Sequence, residues 1–156
     1  MGLLATAFAF DVIGFFLKVS GIAMAAYWMI AAGILGGLTA AVFGLWDWLA
    51  IPRATRVKRI GVWHALGNVL VLLLFAASWW IRRIDPVNPS EGTLLLSLAG
   101  TVLALVTGWL GGELVYRLGI AVEKGANPNA PSSLATRSGS GSAPYPYPSA
   151  SHTVRS

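Results

Sequence analysis

Long apolar stretches, each bounded by charge, dominate the chain. Val19 to Trp46 is 28 residues without an Asp, Glu, Lys or Arg, Ile60 to Ile81 is 22, and Gly92 to Gly112 is 21. At 1.5 Å per residue each reaches across about 30 Å of hydrocarbon. A backbone in lipid must satisfy its own polar groups, so these stretches predict spanning helices. Leu3 to Leu17 is also apolar but shorter, with Asp11 inside it. It predicts a first helix, short or truncated. The competing reading is a cleaved signal peptide ending at Ala23-Met24-Ala25. That reading lacks the basic opening such a peptide carries, because no Lys or Arg precedes Lys18. The predicted fold is all-α, an integral membrane four-helix bundle over residues 1–122, with helices at about 3–18, 21–48, 61–82 and 93–118.

From Gly125 onward the periodicity stops. Residues 123–156 are rich in Ser, Pro and Gly and include Pro144-Tyr145-Pro146-Tyr147-Pro148. Such a segment cannot bury enough apolar surface to offset its ordering entropy, so a disordered tail is expected. The Pro-Tyr repeat is read as part of a solubilising tail rather than as a polyproline ligand.

Composition agrees with the membrane reading. Hydrophobic residues make up 56% and charged residues 11% of the 156, against about 25% charged in an ordinary soluble domain. Most soluble enzyme classes are thereby excluded. The net charge of +5 does not point to nucleic acid, because the basic residues fall in short segments between helices. The absence of cysteine excludes disulfides, iron–sulfur clusters, thiolate metal sites and cysteine nucleophiles.

Those basic residues orient the bundle. Arg53, Arg56, Lys58 and Arg59 lie between helices two and three, and Arg117 and Lys124 follow helix four on the same face. Lys18, Arg82 and Arg83 lie on the other. The positive-inside rule then places both termini in the cytoplasm. Trp46, Trp48 and Trp63 flank the basic loop, and Trp79 and Trp80 flank Arg82 and Arg83, as expected of indoles at the two interfaces. Ser90 or Thr93 is the expected N-cap of helix four.

Small residues recur at intervals of four: Ala32, Gly36, Ala40 and Gly44 in helix two, and Gly100, Ala104, Gly108 and Gly112 in helix four. Such stripes let backbones approach where lipid removes the hydrophobic drive. They predict packing within the bundle with helices two and four as neighbours, the alternative being a homo-oligomer interface.

The candidate chemistry is sparse. Asp47, His64 and Glu113 fall at similar depth at one end of the bundle, with Asn68 four residues after His64 and Arg117 four after Glu113. The five form a candidate polar cluster, read first as hydrogen bonds fixing the helix ends. The alternative is a proton, metal or haem site. His64 is the one plausible ligand histidine, since His152 lies in the tail, and Met24 and Met29 belong to the other membrane face. A haem b or a metal ion therefore remains an alternative, and no cofactor is predicted. Asp11 is an intramembrane acid that needs a partner or a proton, or else lies nearer Lys18 and the outer face if the helix starts upstream. No phosphate loop, nucleophile elbow or dinucleotide fingerprint is present.

Three segments carry a family resemblance: Gly44-Leu45-Trp46-Asp47-Trp48, Arg59-Ile60-Gly61-Val62-Trp63-His64-Ala65-Leu66-Gly67-Asn68 and Gly108-Trp109-Leu110-Gly111-Gly112-Glu113-Leu114-Val115-Tyr116-Arg117. Over roughly residues 3 to 122 the chain resembles the bacterial membrane family known as domain of unknown function 2231. The resemblance implies a four-helix protein of the bacterial cytoplasmic membrane with no established activity. It also implies a His-Pro pair just ahead of the first helix, which this chain lacks; either the chain diverges there or its start lies upstream. The expected function is a structural or partner-binding membrane subunit rather than an enzyme, whose partners are the lipid bilayer and a second copy or other membrane proteins. The alternative is a redox or ion-handling subunit built around His64.

Overall fold

The computed structural model describes residues 1–52 and 54–119; the expected tail and Arg53 lie outside them. The described residues belong to one compact unit. Within it α1 spans Gly2–Leu17, α2 Ser20–Ala50, α3 Arg56–Ile81 and α4 Glu91–Gly112, and α4 runs on into a π-helical turn, Glu113–Arg117. No strand occurs among the described residues. The α2, α3 and α4 helices are long and apolar enough to cross a membrane, whereas α1 is shorter.

The boundaries follow local chemistry. Lys18 takes a left-handed conformation, φ 56°, and closes α1 directly onto α2. Thr55 caps α3, its hydroxyl oxygen accepting from the Lys58 N–H, so this helix begins inside the basic segment and earlier than about residue 61. Lys58 also reaches the end of α2, donating to the carbonyls of Trp48 at 2.6 Å and Ile51 at 3.1 Å, in the turn where a helix runs out of its own donors; the Trp48 carbonyl also accepts from the Ile51 N–H at 3.2 Å. Ser90 caps α4 by accepting from the Thr93 N–H at 3.4 Å.

The helices pack in a ring. Consecutive helices touch, and α1 closes the ring against α4. Helices α2 and α4 therefore sit across a diagonal and are not neighbours, which corrects the pairing expected from their small-residue stripes. The reason is which residues each stripe faces. Ala32, Gly36, Ala40 and Gly44 all point outward, and a Cβ added at Gly36 or Gly44 would meet nothing within 4 Å. Their neighbours Gly33 and Gly37 face inward instead, against the Leu4 and Leu72 side chains. On α4 the stripe divides. Gly100 and Ala104 are buried, with Phe75 so close that a Cβ on Gly100 would stand 2.8 Å from its ring. Gly108 is open, and Gly112 has only the Tyr116 ring nearby, at 3.8 Å.

The core gathers Leu4, Ala7, Ile30, Val71, Leu72, Phe75 and Ala104. Hydroxyls join α3 to α4 beside it: Ser78 donates to the Thr93 carbonyl at 2.9 Å and pairs with the Ser97 hydroxyl at 2.9 Å. Interhelical hydrogen bonds of this kind supply the association that lipid does not. The α1 helix covers only the first half of α2. Leu4, near the start of α1, lies against Gly33, so roughly 25 Å of α2 extends past it. Along that length Gly37 meets Leu72 and Trp48 meets Gly61, while most other side chains face outward.

Candidate functional site

The start of α3 and the end of α4 meet, and most of the candidate polar groups are there. His64 Nδ1 lies 2.9 Å from the Thr107 carbonyl. A carbonyl only accepts, so Nδ1 carries the proton and Nε2 keeps the lone pair. That lone pair accepts from Asn68 Nδ2 at 2.9 Å. The imidazole thus bridges α3 to α4 with both nitrogens engaged, and Gly111 leaves room for it: a Cβ there would stand 3.0 Å from His64 Cε1.

Glu113 forms a second group. Its carboxylate, 9% exposed, accepts from Arg56 and from Arg117, each at 3.3 Å. Arg56 was not among the expected cluster residues. It ties the first turn of α3 to the π-helical turn that ends α4. Asp47 joins neither group: it is exposed and makes no side-chain hydrogen bond or ion pair among the described residues. Trp48 explains this. Its indole N–H donates to the Lys58 carbonyl at 3.2 Å, and the next residue along a helix is turned by about 100°. With Trp48 facing α3, Asp47 faces away. Among the described residues no three His, Cys, Asp or Glu side chains stand close enough to hold a metal ion together.

The strongest buried electrostatic contact lies toward the other end of the bundle. Arg82 Nη1 donates to Asp11 Oδ1 at 2.7 Å, with the two side chains 1% and 0% exposed. Asp11 therefore has its partner in Arg82, which caps the end of α3, not in Lys18, whose ammonium lies over the Phe15 ring. Arg82 also stands 5.8 Å from the Tyr27 ring centre, and Tyr27 stacks on Trp79 at 5.4 Å. One layer thus joins α1, α2 and the end of α3. The ion pair crosses the diagonal of the ring, between helices that are not sequential neighbours. From the sequence Arg82 counts only as a charge that orients the bundle. Its neighbours Arg83 and Trp80 do behave as surface groups, with Arg83 over the exposed Trp80 ring at 4.0 Å.

The family model described as a predicted membrane protein, DUF2231, matches residues 1–124. The chain belongs to this family. It is a membrane protein, and in the three segments that carry the resemblance Trp48 locks α2 to α3, His64 and Asn68 lock α3 to α4, and Glu113 and Arg117 close the end of α4. No curated protein and no solved structure matches the chain.

Proposed function

We propose that this DUF2231 protein is a structural or partner-binding subunit of the bacterial cytoplasmic membrane, and that it meets a further membrane helix through the outer face of α2. One observation carries the reading. The small-residue stripe Ala32, Gly36, Ala40 and Gly44 is turned away from the bundle, with open space over Gly36 and Gly44. An aligned stripe of this kind lets a second backbone approach closely, and nothing within the bundle uses it. The redox alternative has less support, because a histidine ligand needs a free lone pair and that of His64 is spent on Asn68.

The native chain has no cysteine, so single cysteines report contacts cleanly. Cysteines placed at Gly36 or Gly44 are expected to cross-link in native membranes, giving a dimer of the chain or an adduct with another membrane protein. A cysteine at Leu105, exposed on α4, serves as the comparison. Cross-linking at Gly36 and Gly44 no greater than at Leu105 would remove the proposed face.

A further inference from the structure

The segment joining α2 to α3 uses its positive charges unequally. Lys58 is committed to the end of α2, with its ammonium also 3.8 Å from the centre of the Trp48 ring. Arg56 shares the single carboxylate of Glu113 with Arg117. Arg59 is exposed, with no side-chain hydrogen bond or ion pair among the described residues. Arg56 and Arg59, together with Ala54 and Thr55, line an open cleft of about 400 Å³. Three guanidiniums against one carboxylate leave this corner with a positive excess, and the first turn of α3 adds the positive end of its helix dipole.

A second observation lies directly below the cleft. Arg56, Arg59, Trp63, Leu66, Leu70 and Leu73 recur at steps of three and four, so they occupy one face of α3. Trp63, Leu66, Leu70 and Leu73 are 63%, 56%, 49% and 60% exposed. Measured along the helix from Arg59, the indole is about 6 Å down and Leu73 about 21 Å down. The face therefore passes from guanidinium to indole to aliphatic side chains. That sequence matches the depth profile of a phospholipid: phosphate, glycerol interface, acyl chain. A free phosphate would use the top of it alone.

We infer that this face of α3 binds an anionic phospholipid, with its phosphate between Arg56 and Arg59 and an acyl chain along Trp63, Leu66, Leu70 and Leu73. The guanidiniums recognise the phosphate oxygens by charge-assisted hydrogen bonds. The aliphatic stripe makes the site selective for lipid over a soluble anion. This site is separate from the outward stripe of α2 and stands whether or not that stripe has a partner.

The test uses the full chain in neutral detergent and native mass spectrometry. The probes are dioctanoyl phosphatidylglycerol, dioctanoyl phosphatidylcholine and inorganic phosphate. Phosphatidylglycerol is expected to be retained in preference to phosphatidylcholine, with phosphate failing to displace it at equal concentration. Arg56→Gln and Arg59→Gln should each lower retention of the anionic lipid about fivefold. Arg59→Lys should keep most of it, and Lys18→Gln, at the other end of the bundle, should change nothing. Helical circular dichroism through a thermal ramp verifies that each variant is folded. Equal retention of the two lipids, or undiminished phosphatidylglycerol binding in folded R56Q/R59Q, would overturn the inference. Displacement by phosphate at equal concentration would also overturn it, by assigning the cleft to a soluble anion.

Discussion

Arg82 shows how much one residue can decide in this bundle. Its guanidinium is nearly inaccessible and meets the Asp11 carboxylate at 2.7 Å, so removing either partner strands a charge in the interior. The penalty for that is about 3–5 kcal/mol. Arg82→Ala is expected to lower stability by that order in denaturation titrations in detergent. The double replacement Asp11→Leu with Arg82→Met, which removes both charges and keeps apolar volume, should recover most of the loss. A double variant no more stable than R82A would show that the pair acts through something other than its charges. The need for a partner at Asp11 was readable, because an acid inside an apolar stretch is costly. The partner was not. Arg82 is 71 positions away and looked like an ordinary interface charge beside Arg83 and Trp80. His64 and Asn68 were legible for the opposite reason, since a four-residue spacing brings side chains together within any helix.

At the scale of the element, the two small-residue stripes have the same spacing and different roles. Periodicity identifies a face but not what lies opposite it. On α4 the stripe meets Phe75 at Gly100 and open space at Gly108. Gly100→Val should therefore force the Phe75 ring aside and destabilise the bundle by about 1–3 kcal/mol, while Gly108→Val should leave the thermal midpoint in detergent nearly unchanged. Equal effects at the two positions would contradict this packing. The same logic separates Gly33 and Gly37, which face Leu4 and Leu72, from the outward Gly36 and Gly44. Helix ends were more legible than helix faces. Ser90 caps α4, one of the two residues expected to do so. The early start of α3 depended on Thr55 and on Lys58 reaching back to α2, a contact between two helices that no single-helix pattern contains.

For the whole molecule, the basic segment between α2 and α3 predicts which way the bundle lies. A reporter fused after residue 122 is expected to be active in its cytoplasmic form and silent in its periplasmic form; the reverse would invert the assigned topology. Membrane character and helix number were determined by the sequence alone. They depend on runs of apolar residues and on the charges that bound them, both of which act locally along the chain. Only the tertiary structure decided that α1 closes the ring against α4, that α2 and α4 lie across it, and that Asp47 stands apart from His64 and Glu113. Lipid presses on every apolar face alike, so hydropathy cannot say which face finds a helix and which finds a tail. That choice came from close packing at a few glycines, from hydroxyl bonds between α3 and α4, and from one ion pair spanning the diagonal.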